Sequence, residues 1–246
     1  MKRVAVVSGA CGGIGSEISN YLASHDWHVI GLDQLIDKKN LSDKVEYFEL
    51  DLNRICVDLS YRVKKIGALN NLIPQGLDLL VNNAAVQKIE SIDNISINDW
   101  CDSINVNATA PFILIKLLLA KLEKSSGSVI NISSIHARLT KPKFFAYATS
   151  KAAIEALTRS LAIELGGRIR VNAISPAAIE TPMLEMGFID NELARAQLES
   201  YHPCRSIGST NDIVAAVEYY ANAGNFVTGS ILDIHGGIGS RLHDPI

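Results

Sequence analysis

Residues 4–15 read Val-Ala-Val-Val-Ser-Gly-Ala-Cys-Gly-Gly-Ile-Gly, and this stretch decides how the chain folds. Val4–Ser8 is a short run of β-branched and small residues, which is typical of a buried strand, and a helical pattern follows from Gly13 to His25. The glycines between them permit a tight turn whose backbone N–H groups can approach a pyrophosphate, which the positive end of a helix dipole also favours. The order strand, glycine loop, helix therefore predicts the first unit of a nucleotide-binding parallel sheet.

The same alternation continues along the chain. Further short apolar runs predict strands at His28–Asp33, Val45–Leu50, Leu77–Asn82, Ser128–Ser133, Ile169–Ile174 and Ile231–Ile234. Helical patterns lie between them at Asn53–Asn71, Trp100–Glu123, Phe145–Leu165 and Asn211–Ala221. Because strands that are apolar on both faces need helices on both sides, and crossovers are right-handed, few topologies remain. We predict an α/β fold: one doubly wound Rossmann-type domain over residues 1–246, with a parallel sheet of about seven strands and helices on both faces.

Composition excludes several classes of protein. The chain has 246 residues, 48% of them apolar, and 23 Lys and Arg against 26 Asp and Glu give a net charge of −3. Without a basic block, nucleic-acid binding lacks its electrostatic driving force. The longest apolar runs are far shorter than the ~20 residues of a membrane span. The four cysteines are scattered, and His25 and His28 have no partners at metal-ligand spacing, so we expect reduced thiols, no metal and a cytoplasmic protein.

The glycine loop and the end of the second predicted strand indicate a dinucleotide site. The glycines follow the spacing G-x-x-x-G-x-G from Gly9 to Gly15, which alone is a weak signal. Asp33 follows 18 residues later, where a carboxylate can accept hydrogen bonds from an adenosine ribose and repel the extra phosphate of NADP. The alternative is an Asp that merely caps a turn. No Arg or Lys stands in the loop or at Gln34, so NAD is favoured over NADP.

Tyr147 and Lys151 form the second informative pair. They stand four residues apart at the start of a predicted helix, so they share one face. A phenol is only about 0.1% ionised at pH 7. An ammonium about 4 Å away would favour the phenolate by up to roughly 4 kcal/mol before desolvation is subtracted. That would suit a general acid/base, although most Tyr/Lys pairs on helices are ordinary surface residues.

Taken together, these features resemble the short-chain dehydrogenase/reductase family over nearly the whole chain. The spacing of 13 residues between Ser134 and Tyr147 is the one that the family shows. The other matching features, in chain order, are the SGACGGIG loop, Asp33, Asp51-Leu52, Asn82-Asn83-Ala84-Ala85, Asn107 within NVNATAPF, Ser133-Ser134, YATSK, Ser175-Pro176 with Thr181, and FVTG at 226–229. Their joint occurrence in the correct order is very specific.

The resemblance implies a role for each matching residue. Tyr147 would exchange a proton with the substrate oxygen, Lys151 would hold the nicotinamide ribose, and Ser134 would bind the substrate oxygen. Asn107 would bend its helix and hold a proton-relaying water. The catalytic set is thus Asn107, Ser134, Tyr147 and Lys151, and the substrate set is Ser134, His136 and Tyr147. The implied cofactor-binding set is Gly9, Gly12, Gly13, Ile14, Gly15, Asp33, Asp51, Leu52, Asn83, Ala84, Tyr147, Lys151, Ile179 and Thr181.

The function that follows is an NAD-dependent oxidoreductase that interconverts a secondary alcohol and a ketone, with NADP the less favoured cofactor. One alternative is a 3-oxoacyl thioester reductase that uses NADPH, and another is a non-catalytic nucleotide-binding scaffold. Residues 181–205 resemble the family's mobile substrate lid, and their apolar content suggests a partly apolar substrate. The resemblance further implies a homo-oligomer, a dimer or tetramer, built through the two long helices.

Several positions depart from the family pattern. Ser8 replaces the usual Thr, Ala85 and Ala177 replace Gly, and His235 replaces a common Asp. The loop between Ser134 and Tyr147 is also basic, with Arg138, Lys141 and Lys143. These bases could attract an anionic substrate, or they could simply be solvated.

Overall fold

The computed structural model describes residues 2–35, 42–188 and 191–242. Within them, seven parallel strands form one sheet in the order β3-β2-β1-β4-β5-β6-β7. The strands are β1 (Arg3–Ser8), β2 (Trp27–Asp33), β3 (Val45–Glu49), β4 (Leu79–Asn82), β5 (Ser128–Ile132), β6 (Arg170–Pro176) and β7 (Ile231–Ile234). The predicted doubly wound fold is confirmed. Strand order reverses between β1 and β4, and ligands bind beyond the carboxyl ends of the strands at such a switch point.

Helices cover both faces of the sheet. One face carries α1 (Gly13–Ser24) and α9 (Thr210–Asn222). The other carries α2 (Leu52–Val57), α3 (Leu59–Asn71), α4 (Ile97–Ile104), α5 (Ala110–Lys124) and α6 (Phe145–Glu164). Two further helices, α7 (Pro182–Glu185) and α8 (Glu192–Tyr201), lie between β6 and α9 in the chain.

The core has two halves, one on each side of the sheet. Along β1, Val4 and Val6 belong to the half under α5 and α6, whereas Ala5 and Val7 belong to the half under α1 and α9. Successive strand residues point to opposite faces, so a strand buried on both sides must be apolar throughout. This is why the sequence shows continuous apolar runs rather than alternation.

The helix predicted over Asn53–Asn71 is divided in the structure. Asp58 has φ −112° and ψ 101°, which is extended backbone, and its carboxylate accepts a hydrogen bond from the Tyr61 N–H at 2.9 Å. Asp51 caps α2 in the same way, through the Arg54 N–H at 2.9 Å. An aspartate that satisfies the first free N–H groups of a helix favours a new start at that point, so α2 ends where α3 begins.

The helix predicted over Trp100–Glu123 starts earlier, at Ile97, and contains a π-helical segment at Asn105–Thr109. The continuous helical stretch Ile97–Lys124 is long and apolar enough to cross a membrane by length and composition alone. Its central side chains Leu114, Leu118 and Leu122 are buried in the core. Packing against the sheet therefore accounts for the buried part of this apolar stretch.

Candidate active site

The glycine loop after β1 is closely packed, and two of its residues must lack a side chain. Gly9 has φ +67°, and a Cβ there would lie 2.8 Å from the Ala84 Cα. A Cβ on Gly15 would lie 2.0 Å from the Gly9 carbonyl oxygen. By contrast, among the residues that the structure describes, a Cβ on Gly12 would meet only the Gly9 oxygen, at 3.4 Å. The loop therefore folds tightly back on the start of α1 and leaves its Gly12 side open.

Ser8 and Asn83 join the glycine loop to the end of β4. The Ser8 hydroxyl accepts hydrogen bonds from the Asn83 N–H at 3.0 Å and the Ala84 N–H at 3.1 Å. The Asn83 amide donates to the Ser8 carbonyl at 2.9 Å. Ser8 thus supplies the hydroxyl that this junction needs, and its replacement of Thr keeps the polar group. Asn83, predicted to line the cofactor's path, also braces the loop.

Asp33 ends β2 and faces the glycine loop. One carboxylate oxygen accepts from the Cys11 N–H at 3.0 Å, and the other accepts from the Gln34 N–H at 2.8 Å. Its carbonyl accepts from the Leu50 N–H at 2.7 Å, which brings Asp51 and Leu52 to the same edge of the sheet. The predicted adenosine-side residues are therefore gathered together, and Asp33 also orders the loop itself.

The segment after β6 closes over the other side of the loop. A Cβ on Gly13 would lie 3.0 Å from the Thr181 methyl carbon, so these two predicted cofactor residues are in contact. The Thr181 hydroxyl donates to the Ile179 carbonyl at 3.2 Å and accepts from the Leu184 N–H at 3.3 Å, capping α7. Ile179 is buried and pairs with Gly208 in an isolated bridge.

Ser134, Tyr147 and Lys151 meet where β5 ends against α6. All three side chains are buried. The Lys151 ammonium donates to the Ile132 carbonyl at 2.7 Å and lies 5.5 Å from the centre of the Tyr147 ring. Ser134 accepts a hydrogen bond from the His136 N–H at 3.2 Å, and its own hydrogen bond to Tyr147 lowers the pKa of the phenol. The predicted catalytic cluster is therefore assembled.

Burial dominates the ionisation of this cluster. It raises the pKa of Tyr147 to about 12, against the smaller lowering by Ser134, and lowers the pKa of Lys151 to about 8. In both cases the low-dielectric surroundings disfavour the charged form. Burial thus shifts the pKa of the phenol in the direction opposite to that expected from the Tyr/Lys spacing.

Asn107 lies in the π-helical segment behind the cluster. Its side-chain oxygen accepts from the Val86 N–H at 2.8 Å, and its amide donates to the Val86 carbonyl and to the Ser150 hydroxyl, both at 2.9 Å. The helix is irregular at this point, and π turns inside α-helices frequently mark functional sites. The side chain itself ties the residues after β4 to α6.

The profile of the short chain dehydrogenase family matches residues 3–191. This chain belongs to the short chain dehydrogenase family. An uncharacterised oxidoreductase of Mycobacterium tuberculosis is 34% identical, over 96% of this chain and 92% of its own length. The structure of 4-hydroxyisoleucine dehydrogenase with NADH is 30% identical with TM-score 0.87, covering 98% of this chain and 100% of that one. The structure of ElxO with NADP is 26% identical with TM-score 0.86, again covering 98% and 100%.

These similarities confirm the resemblance drawn from the motifs. The protein is an oxidoreductase that acts on a CH–OH group, on a fold that binds nicotinamide cofactors. Similar structures hold NADH in one case and NADP in another, so likeness alone does not select the cofactor.

In this short chain dehydrogenase, the basic loop after Ser134 makes its own contacts. Arg138 forms an ion pair with Asp233 of β7 and donates to the Ser175 hydroxyl at 3.4 Å. The Lys141 ammonium lies 4.4 Å from the centre of the Phe144 ring. The pKa of Glu90 is lowered chiefly by its hydrogen bond from the Ser91 N–H, and the positive charge of Lys143 makes a smaller contribution in the same direction. These contacts are with groups of the protein itself, so they favour a structural role of the three bases in the loop over attraction of an anionic substrate.

The region predicted to be the substrate lid contains α7, a 3₁₀ turn at Met186–Phe188 and α8. Met183, Met186 and Leu193 are exposed there. The ion pair between Arg195 and Glu180, at 2.6 Å, fastens α8 to the base of this region. Ile189, part of the apolar set predicted here, lies outside the described residues.

The structure shows the contacts of two residues that depart from the family pattern. Ala177 donates its N–H to the Ile234 carbonyl at 2.9 Å, and its φ is not in the left-handed region, so no glycine is needed there. His235 accepts a hydrogen bond from the Gly237 N–H at 3.1 Å, and a Cβ on Gly239 would lie 2.7 Å from its ring. His235 thus shapes the turn after β7. Nothing in the structure explains why Ala85 replaces glycine.

Sequence reasoning missed two contacts that support the catalytic cluster. The carboxylate of Glu155, one turn after Lys151, is buried and accepts from the Ser133 hydroxyl at 3.1 Å. Its spacing of four residues from Lys151 was a usable signal. The ion pair between Arg138 and Asp233 spans 95 positions of sequence, and no local pattern predicts it.

Proposed function

We propose that this short chain dehydrogenase is an NAD-dependent enzyme that interconverts a secondary alcohol and a ketone. The observation that carries the proposal is the meeting of Ser134, Tyr147 and Lys151 at the sheet edge that also holds the glycine loop. A protein that only binds a nucleotide has no need of a buried phenol, hydroxyl and ammonium in contact. The scaffold alternative is therefore disfavoured.

The residues present fit a nicotinamide dinucleotide. The open Gly12 side of the loop, at the start of α1, suits a pyrophosphate. The Lys151 ammonium has three protons, and the Ile132 carbonyl takes one, which leaves two for ribose hydroxyls. Thr181, which lies against Gly13, and the buried Ile179 are the residues that we assign to the nicotinamide carboxamide. When bound, the nicotinamide supplies or accepts the hydride.

In the proposed reaction, side chains of the protein transfer the proton to and from the substrate oxygen. Ser134 accepts the His136 N–H, and its single hydroxyl proton, which is directed at Tyr147, would turn to a substrate oxygen when one is bound. In ketone reduction the Tyr147 hydroxyl donates its proton to the carbonyl oxygen, and in alcohol oxidation the phenolate accepts the proton of the alcohol. Holding the substrate oxygen between two hydroxyl groups provides the positioning on which such a reaction depends.

Asp33 favours NAD over NADP. Each of its carboxylate oxygens accepts one backbone N–H, at 3.0 and 2.8 Å, and each keeps a lone pair that can accept from a ribose hydroxyl. The same negative charge at the loop would repel a 2′-phosphate. The preference is thus an electrostatic property of one side chain that is already held in place.

Binding of NADH and NADPH to wild type and Asp33→Ala, followed by nicotinamide fluorescence, tests the cofactor assignment. We expect wild type to prefer NADH by at least about tenfold, the effect of roughly 1.4 kcal/mol, and Asp33→Ala to lose most of that preference. Asp93→Ala, which removes an exposed carboxylate elsewhere, should leave the preference unchanged. Equal or tighter NADPH binding by wild type would contradict the assignment and bring the 3-oxoacyl thioester reductase forward.

The proposal includes self-association. Phe112 and Leu117 on α5 are about two-fifths exposed, and Ile163 on α6 is 85% exposed. Large apolar side chains on the two long helices suit a symmetric interface between copies of the chain. We propose a homo-oligomer, a dimer or a tetramer, built through these helices.

A further inference from the structure

The carboxylate of Glu155 is buried close to the catalytic cluster, although the proposed reaction does not use it. Glu155 lies on α6, one turn after Lys151, and is only 4% exposed. Taking a carboxylate out of water is costly unless other groups of the protein compensate it. The groups that Glu155 contacts therefore indicate what this side chain does.

The first of these groups is the hydroxyl of Ser133, which directly follows β5. This hydroxyl donates to the Glu155 carboxylate at 3.1 Å and to the Lys151 carbonyl at 3.3 Å. The Ser133 N–H donates to the Ile174 carbonyl of β6 at 2.7 Å. Ser133 is thus held by both α6 and β6, and its side chain is the link to α6.

Ser133 stands between two residues on which the catalytic cluster depends. The residue before it is Ile132, whose carbonyl accepts a hydrogen bond from the Lys151 ammonium at 2.7 Å. The residue after it is Ser134, whose hydroxyl is hydrogen-bonded to Tyr147. Because each peptide unit is rigid, a displacement of Ser133 is passed on to both neighbours.

Two arginines compensate the charge of Glu155. Arg159, a further turn along α6, lies 3.8 Å from its carboxylate. Arg138, in the loop after β5, is paired with Asp233 of β7. The pKa of Arg138 is raised chiefly by its hydrogen bond to Asp233, and the charge of Glu155 contributes in the same direction. Glu155 is therefore attracted both by its own helix and by the active-site loop.

We propose that Glu155 is a positioning residue, which holds the Ser133 hydroxyl against α6 and so keeps the end of β5 where catalysis requires it. The proposal rests on the proposed function, because it takes Ser134 as the group that binds the reacting oxygen. A carboxylate acting as a counter-ion would raise the pKa of Lys151, whereas burial lowers that pKa. Glu155 thus acts through the backbone of β5, and its charge strengthens the hydrogen bond from Ser133.

Variants of Glu155 test the proposal when turnover and cofactor binding are measured separately, with cyclohexanol and secondary butanol as probes. We expect Glu155→Leu to lower kcat about tenfold to hundredfold, since a catalytic group misplaced by about 1 Å has an effect of that order. The Kd of NADH should change by less than about threefold, because most of its contacts lie at the glycine loop. Glu155→Gln, which can still accept from Ser133, should lose only about threefold in kcat.

Thr158→Val is the matched control. Thr158 is buried on α6, three residues after Glu155, and accepts a hydrogen bond from the Asn131 amide of β5 at 2.9 Å. The variant removes a bond between the same helix and strand that does not involve Ser133, so we expect lower stability with unchanged kcat. Ser133→Ala should lower kcat as Glu155→Leu does, and the double variant should lose no more than either single variant, since both changes break one contact.

Hydrogen exchange followed by mass spectrometry provides a readout that needs no substrate. Peptides that contain residues 130–138 should exchange at least about tenfold faster in Glu155→Leu than in wild type, while peptides from β1 stay unchanged. Unchanged exchange in residues 130–138, a kcat loss in Thr158→Val as large as in Glu155→Leu, or multiplying losses in the double variant would overturn the role of Glu155. If wild type oxidises neither alcohol with NAD or NADP, the proposed function fails, whereas the exchange result still decides whether Glu155 holds the end of β5.

Discussion

Tyr147 shows how far burial can oppose a charge effect at a single residue. The spacing of Tyr147 and Lys151 was correct for one helix face, yet it could not reveal that the ammonium donates to the Ile132 carbonyl at 2.7 Å. Coulomb attraction depends on the distance between the charges, whereas desolvation depends on everything around them. Both side chains are buried, so each is pushed toward its neutral form.

This balance predicts a late ionisation of the phenol in the protein without added cofactor. Comparing the tyrosinate absorbance of wild type and Tyr147→Phe during an alkaline titration should show no contribution from Tyr147 below about pH 10, because its pKa of about 12 leaves it protonated there. Tyr219→Phe, at an exposed tyrosine, is the matched control. A Tyr147 signal that appears between about pH 7 and 9 would show that the lysine charge outweighs burial after all.

The parts of the candidate site that depend on particular residue types were predictable from the sequence. The parts that depend on contacts between distant residues were less predictable. Ser134, Tyr147 and Lys151 were named through the family resemblance, which rests on residue types in a fixed order and spacing, and the structure brings them together. The pairing of Arg138 with Asp233 joins the active-site loop to β7 across the sheet, and no periodic pattern contains that information. Long-range ion pairs depend on three-dimensional proximity, which a single sequence does not display.

At the scale of an element, the turn between β1 and α1 gives a prediction that compares one of its glycines with a glycine of α3. Gly15→Ala places a Cβ 2.0 Å from the Gly9 carbonyl oxygen, which is backbone and cannot move aside alone. We expect a loss of about 2 kcal/mol or more in the free energy of unfolding, with weakened NADH binding. Gly67→Ala, inside α3 and with no atom of the described residues within 4 Å of the added Cβ, should instead stabilise by up to about 1 kcal/mol.

Denaturant unfolding of both glycine variants, with NADH binding measured on the same samples, checks this. A Gly15→Ala protein as stable as wild type would show that the loop can open without cost. If Gly67→Ala destabilises as much as Gly15→Ala, the effect does not come from the loop packing. Comparing the two variants separates the steric effect of a Cβ in the turn from the general effect of replacing a glycine in a helix.

The elements themselves were predictable because of their apolar patterns, whereas their interruptions were not. Seven strands and the main helices follow from buried runs and helical spacing. The break at Asp58 coincides with a hydrogen bond from the Tyr61 N–H to one aspartate, and the π segment coincides with the hydrogen bonds between Asn107 and Val86. Each is decided by one or two hydrogen bonds, which change the periodicity too little to be visible in the sequence.

At the scale of the whole molecule, the order of the motifs along the chain was what predicted the site. The loop, Asp33, Asn83, Ser134 and Tyr147 are far apart in the chain, and they converge because parallel strands place their carboxyl ends at one edge. Once the parallel sheet is predicted, convergence follows without further assumptions. How copies of the molecule associate is a separate matter, because exposed apolar residues do not by themselves give a count of subunits.

The proposed self-association can be tested by charge on the surface of α5. We expect wild type to sediment as a dimer or tetramer, and Leu117→Glu to shift the population toward smaller species, because burying an unpaired carboxylate in an interface costs several kcal/mol. Phe112→Glu should act in the same direction. Val63→Glu places the same charge on an exposed apolar position of α3 and should leave the mass unchanged. A monomeric wild type, or equal dissociation by the Val63 variant, would show that α5 is a free surface, and its exposed apolar residues would then need another explanation.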